Sequence, residues 1–203
     1  MPAPTNGRTR TGVRSRAALA PGAGMAHRAG MDGDRGARGG WRAMRVEDLH
    51  AVSAIAERVH PAFPEDAAVF AERLALCPEG CFVAQVEGRP VGYLVSHPWR
   101  SGAPPALNAR LGALPDAAAC WYLHDLALLP EVRGGGLGRA ALALVEHAAR
   151  AAGLRSVELV AVSGSAPFWA RLGFEPLALP STHASYGSEA SAMRRTLDRT
   201  VAG

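Results

Sequence analysis

A glycine-rich turn, Val132-Arg133-Gly134-Gly135-Gly136-Leu137-Gly138-Arg139, constrains the fold of this chain because of what flanks it. Before it runs Trp121-Tyr122-Leu123-His124-Asp125-Leu126-Ala127-Leu128-Leu129, an apolar-rich segment of strand length. After it, Leu137, Ala141, Leu144, Val145 and Ala148 recur at helical spacings of three and four. A glycine turn from strand into helix gathers backbone N–H groups at the positive end of the helix dipole. Glycine lets that backbone close on a bulky anion, and Arg133 adds charge and a two-pronged donor. The turn therefore reads as a pyrophosphate cradle.

Several cradles are excluded at once. All 22 basic residues are arginine, so the lysine of a Walker loop, of a pyridoxal phosphate Schiff base and of a protein kinase is missing. Gly134, Gly136 and Gly138 do not give the Gly-x-Gly-x-x-Gly spacing of a dinucleotide fold, although Gly135 and Gly138 supply a fragment of it.

Downstream, the helix pattern ends at Gly153 and a buried-strand run, Val157 to Val162, follows. Ser163 or Ser165 caps a short helix with Pro167 in its first turn, ending in Leu172-Gly173-Phe174 before another strand. With these elements in place, the chain resembles the GNAT superfamily of acyl-CoA-dependent N-acyltransferases. Arg133, Gly136 and Gly138 meet that family's Arg/Gln-x-x-Gly-x-Gly/Ala motif. Leu172, Gly173 and Phe174 close the aromatic-rich helix that is its second mark. The resemblance covers roughly residues 41 to 197. It implies an α/β fold of the α+β mixed-sheet kind, a central twisted sheet flanked by helices. It also implies acetyl-CoA as co-substrate, with no metal.

Composition agrees with one domain over residues 41–203, since about 160 residues with 48% hydrophobic content bury a real core. Three cysteines without a repeated spacing indicate free thiols in a reducing compartment, hence a cytoplasmic protein. Cys77-x-x-x-Cys81 lacks a second pair to complete a metal site. No stretch approaches the roughly 18 apolar residues of a membrane span. Residues 1–40 carry seven arginines and two aspartates, and the remainder 15 arginines against 16 acids, so the basic charge sits in the leader. With almost no large apolar residues the leader is expected to be disordered. It is also readable as a nucleic-acid tether, a transit peptide or an over-extended translation start, with Met25, Met31 and Met44 as alternatives. Lysine-free, arginine- and alanine-rich usage fits a GC-rich bacterial genome, against organelle import.

The first half reads as strand, two helices and hairpin. Trp41 to Met44 is the strand, and Leu49, Val52, Ile55, Ala56 and Val59 form the stripe of a helix broken at His60-Pro61. Glu65 to Leu76 make the second helix. Cys81–Val86 and Val91–Val95 flank a hairpin turn at Glu87-Gly88-Arg89-Pro90. A long loop, Ser96 to Ala119, follows.

A thioester needs no nucleophilic residue, because an amine held against its carbonyl attacks directly. The protein supplies positioning, an N–H donor for the carbonyl oxygen, a proton route and an acid for the thiolate. By the resemblance, the backbone of Leu126, Ala127 and Leu128 receives the pantetheine arm and thioester oxygen, and Arg133 with Gly134, Gly135, Gly136, Leu137, Gly138 and Arg139 takes the pyrophosphate. His124 and Asp125 are candidates for the proton route. Strand alternation points them to opposite faces, so one of them, taken as Asp125, meets the acceptor. Against this stands a structural role for Asp125, capping or pairing with a neighbouring element, and a packing role for His124.

Many family members carry a tyrosine acid four residues before the Leu-Gly-Phe glycine, where this chain has Trp169. Of Tyr93, Tyr122 and Tyr186, the last sits in a loop before the final strand, Ala190 to Leu197, and is the expected proton donor. An exposed loop tyrosine is the alternative. The expected activity is N-acetyl transfer to a primary amine of a small molecule or peptide. A non-catalytic acyl-CoA-binding sensor or scaffold is the other reading, suggested by the missing tyrosine. A homodimer is left open, and membrane and nucleic-acid partners are not expected. The acceptor pocket falls to His60–Asp66, the 96–119 loop and the Tyr186 loop, with Glu65 and Asp66 hinting at a cationic amine.

Overall fold

The computed structural model describes residues 39–179 and 184–198, so the basic leader lies outside the described residues. Seven strands form one mixed sheet: β1 (Gly40–Ala43), β2 (Cys81–Val86), β3 (Arg89–Trp99), β4 (Cys120–Leu128), β5 (Ser156–Ala161), β6 (Glu175–Pro176) and β7 (Ser191–Thr196). Four helices flank it: α1 (Leu49–Val59), α2 (Ala67–Leu76), α3 (Leu137–Ala151) and α4 (Ala166–Arg171). The spatial order is β1-β2-β3-β4-β5-β7-β6, and every pairing is antiparallel except that of β4 with β5.

Two apolar layers follow from alternation along the central strands. Tyr93, Val95 and Ala127 face α1 and α2, packing with Val52, Ile55, Phe70 and Leu74. Leu94, Trp121 and Leu123 face the other way and pack with Ala141, Leu142, Val145 and Ala149 of α3 and Trp169 of α4. The buried stripe of α3 thus runs through Leu142 and Ala149 rather than Leu144 and Ala148, which pack at its margin. Leu137, Ala141 and Val145 are common to both stripes, so the face turns by only about half a residue's 100° step.

The Leu-Gly-Phe element is a helix terminator. Gly173, at φ +82°, donates its N–H to the Ala170 carbonyl, and Phe174 N–H goes back to Trp169 O. This is a Schellman closure with its apolar contact, since the Phe174 and Trp169 rings lie 5.3 Å apart, edge to face. A side chain at Gly173 would also strike the Arg195 guanidinium, 2.2 Å from the ideal Cβ position. Arg195 in turn donates to the Leu172 carbonyl.

The hairpin turns on Glu87 and Gly88 alone, both at positive φ, so Arg89 and Pro90 already belong to β3. β3 also runs on to Trp99, four residues past the expected end, because residues 96–99 pair with Cys120–Leu123. The connection from β3 to β4 is therefore residues 100–119.

Candidate active site

Two irregularities in β4 build the site. Strand β5 pairs with β4 only at Trp121↔Val157 and Tyr122↔Glu158, and no further pairing joins the two strands toward the glycine turn. On its other edge, Val95 pairs with Asp125 but Ser96 with Leu123, which makes His124 the extra residue of a β-bulge. The bulge cancels the alternation expected for the neighbouring pair. His124 and Asp125 point to the same side of the sheet, toward the ends of α1 and α2, so both reach the cavity.

Each finds a partner there. His124 Nε2 lies 3.0 and 3.2 Å from the two carboxylate oxygens of Glu65, just before α2. Asp125 Oδ1 lies 3.2 Å from His60 Nε2, at the end of α1. The His60 contact lacks hydrogen-bond alignment and is an ion pair when the imidazole is protonated. The second Asp125 oxygen accepts the Tyr93 hydroxyl. Burial alone would raise Asp125, but His60 and Tyr93 hold it below the usual carboxylate range. Burial would likewise raise Glu65, yet His124 and the Asn108 N–H bring it down. His60 shows the reverse balance: burial pulls it down, and Asp125 more than offsets this, so it stands above its ordinary value. Both carboxylates are thereby held ionised.

The cradle lies at the other end of the same cavity. Gly136 takes a left-handed conformation, φ +86°, as the residue before α3, and its Cβ position faces open space. Arg133 is exposed and its Nε donates to the Leu128 carbonyl, which folds the turn back on β4. A cavity of about 760 Å³ runs between the two ends. Arg133, Gly134, Gly136, Gly138 and Arg139 line it at the turn, Leu126 and Leu128 on β4, and His60, Glu65, His124, Asp125 and Tyr186 beyond. The open amides, the unpaired stretch between β4 and β5 and the arginines together suit a coenzyme A pyrophosphate and its pantetheine arm.

Tyr186 is buried, not exposed on its loop: its hydroxyl donates to the Pro105 carbonyl at 2.8 Å and lies 3.5 Å from the Tyr122 hydroxyl. Burial pushes it up to about 12. Trp169 is buried against Phe168 and Phe174. Cys77, Cys81 and Cys120 are free and fully buried, and desolvation keeps all three protonated, Cys81 at about 12. No thiol is therefore poised as a nucleophile.

Three loops close around the Glu65 end. Asn108 of the 100–119 connection donates its N–H to Glu65 and accepts the Asp66 N–H. Leu107 N–H donates to Ser185 Oγ, and Glu72 accepts from the Leu111 and Gly112 amides. The segments expected to form an acceptor pocket are thus brought together. The partnership of His60 with Asp125, and of Glu65 with His124, had no sequence signal, since each pair is about 60 residues apart.

Sheet, split and cradle define an acyl-CoA-type acyltransferase fold. The chain belongs to the Acetyltransferase (GNAT) family, which it matches over residues 45–174. Among solved structures it is similar to Ard1 from Thermoplasma volcanium, with 21% identity and a TM-score of 0.62 over 79% of this chain and 99% of that one. It is also similar to the GNAT-like decarboxylase GphF in complex with isobutyryl-CoA, with 22% identity and a TM-score of 0.66 over 78% and 99%. A third likeness is to Naa50 of Arabidopsis thaliana bound to a bisubstrate analogue of CoA and a peptide, with 15% identity and a TM-score of 0.60 over 78% and 98%. No curated protein sequence matches the chain.

Proposed function

We propose that the protein is an N-acetyltransferase that moves the acetyl group of acetyl-CoA to a primary amine of a small molecule or peptide, by direct attack in a ternary complex. One observation carries this reading: a single cavity joins the glycine cradle to two carboxylate–histidine pairs. Arg133 and the amides of Gly134, Gly135, Gly136, Leu137, Gly138 and Arg139 would hold the pyrophosphate. The backbone of Leu126, Ala127 and Leu128, facing the gap beside β5, would take the pantetheine arm and the thioester oxygen. Asp125 enters through its ionised carboxylate. Tyr186 lines the acceptor end, and its hydroxyl, which here donates to the Pro105 carbonyl, would be the acid that protonates the leaving thiolate. The three free thiols support a cytoplasmic location.

Trp169 supports a second reading, a non-catalytic acyl-CoA sensor, because indole does not protonate a leaving thiolate. Thiol release from acetyl-CoA separates the two. The transferase predicts release that depends on one member of a panel of polyamines, aromatic amines, amino acids and short peptides. Coenzyme A binding with no amine-dependent release identifies the sensor. In either case Gly136→Val removes binding and keeps the fold, because its Cβ meets no atom within 4 Å while its φ of +86° is closed to a branched side chain. A folded variant with unchanged affinity by calorimetry overturns the cradle assignment.

A further inference from the structure

Two histidine–carboxylate pairs face one cavity, and only one of them is placed to exchange protons with a bound molecule. The His124 and Glu65 side chains are 1% and 4% exposed. Nε2 of His124 is held by both oxygens of Glu65, and its Nδ1 is buried with no partner. That pair sits almost fully buried at the cavity wall and ties the start of α2 to the bulge. His60 and Asp125 are 22% and 18% exposed, on the cavity wall. The His60 Nε2 atom is itself buried at Asp125, so the exposed part of the ring is borne by its other atoms. Asp125 is fixed from behind by the Tyr93 hydroxyl, and the Tyr93 ring is wedged edge-on against Phe70, centroids 5.5 Å apart. The result is a chain from a rigid tyrosine through an ionised carboxylate to an imidazole that looks into the cavity. The imidazole comes from the break between α1 and α2 and lies beside Leu126.

We propose that His60, oriented by Asp125, is the general base that takes the proton from the acceptor's ammonium nitrogen. This rests on the acetyltransferase reading above. The N–H bond breaks with its electron pair staying on nitrogen, and the proton passes to Nδ1 of His60, the ring nitrogen other than the one at Asp125. The nitrogen pair then forms the bond to the thioester carbonyl carbon while the C=O π pair moves onto oxygen, from which it re-forms the carbonyl in the next step. As the intermediate collapses, the C–S bond breaks with its pair going to sulfur. The nitrogen sheds a second proton, matched by the one the thiolate takes up, and His60 returns its proton to solvent. One ammonium and one thioester become one amide, one thiol and one proton. Asp125 touches no reacting atom, so it is a positioning residue.

The groups facing this imidazole set the sign of its pH behaviour. Burial lowers it, Asp125 and the Leu126 backbone on β4 raise it, and Arg133 from the turn before α3 lowers it, while Tyr93, His124 and Glu65 interact with Asp125 behind it. The base works only when neutral, so turnover falls as pH drops through the His60 titration. Removing Asp125 weakens the hold on the proton and moves that fall to lower pH.

The test uses the full-length protein, with spermidine, tyramine, glutamate and free-N-terminal hexapeptides as acceptors and thiol release from acetyl-CoA as readout. His60→Gln is expected to lower kcat at least 100-fold, at the low end of general-base effects, and to abolish the acid limb. At a pH above the His60 titration, its melting temperature and calorimetric Kd for coenzyme A should stay those of the parent, so lost turnover is not lost fold. Asp125→Asn should retain more turnover than His60→Gln and shift the acid limb down. The His60 Cε1–H resonance, followed by proton NMR without any acceptor, should titrate at a lower pH in that variant than in the parent. A His60→Gln protein that keeps more than about a third of kcat, far above that range, overturns the proposal, as does a His60 titration that ignores Asp125. If the parent transfers acetyl to none of the acceptors, the transferase reading itself fails, and the proposal falls with it.

Discussion

His97 shows how a single buried side chain gives the whole domain an acid limit. It is fully buried on β3 among Trp99, Tyr122 and His124, with Nδ1 on the Pro98 carbonyl and Nε2 unpartnered. Desolvation pushes it down to about 3. Below its ordinary value the unfolded chain binds a proton that the folded chain refuses, so stability falls as pH drops from about 6.5 toward 3. The slope is about 1.4 kcal/mol per pH unit, or roughly 3 kcal/mol by pH 4. His60 contributes with the opposite sign, because its raised value favours the folded state below pH 6.5 and that contribution is lost as pH rises through its folded titration. Thermal melting between pH 7 and 4 should therefore drop steeply in the parent and less steeply in His97→Gln, whose amide carries no titratable proton. Parallel curves for the two proteins would show that His97 protonates without cost.

At the scale of elements, the 100–119 connection is the part that sequence pattern describes least and polar bonding describes best. It has no regular structure, yet it is fastened at Asn108, Ala109, Leu111 and Gly112 to residues around α2, and at Leu107 to Ser185. Asn108 is the central rivet. It sits at φ +55°, a conformation asparagine tolerates, and it bonds both Glu65 and Asp66. Asn108→Gly keeps the backbone freedom and loses the side-chain bonds, whereas Asn108→Ala loses both. Each should loosen the acceptor end, with a higher acceptor KM and faster amide exchange over 105–112, and alanine should be the worse by about 1 kcal/mol. The Kd for coenzyme A should not move, because the cradle shares no bond with Asn108. An acceptor KM unchanged in both variants would mean that the loop does not bound the acceptor site. The sequence made the cradle readable because glycine spacing, strand and helix are local there. The α1 stripe and the Leu172-Gly173-Phe174 stop were legible for the same reason, whereas the α3 stripe was legible only in part. The sequence hid the bulge at His124, since a bulge depends on how β3 and β4 register, and alternation alone then sent His124 and Asp125 to opposite faces. It hid the β3 extension to Trp99 because Pro98 reads as a breaker, although β3 accommodates it opposite Trp121.

For the whole molecule, the question is where the folded unit begins. The Cβ position of Gly39 lies 2.8 Å from a Val86 methyl, so packing is already tight at that residue. Strand β1 then pairs residue for residue with β2 from Gly40 to Ala43. Within β1, the Trp41 indole donates to the Leu137 carbonyl at 3.0 Å, joining the edge of the sheet to the first turn of α3 and hence to the cradle. Arg42 grips Asp48 with two bonds of 2.6 and 2.7 Å and so fixes the entry to α1. We expect residues 1–38 to be dispensable, because a composition of seven arginines and almost no large apolar side chains offers little apolar surface to bury. A chain shortened to begin at Gly39 should melt within the roughly 0.5 kcal/mol scatter of surface changes and bind coenzyme A with the same Kd. Shortening it by five more residues, to begin at Met44, removes β1, Trp41 and Arg42 together. The lost ladder, aromatic burial and salt bridge should cost several kcal/mol, and coenzyme A should bind more weakly because Leu137 loses its brace. Differential scanning calorimetry and isothermal titration on the three lengths check this directly. If the chain from Gly39 melts far below the full length, the leader is part of the fold. If the chain from Met44 matches the chain from Gly39 in both measurements, β1 is ornamental and the link from Trp41 to the cradle carries no energy.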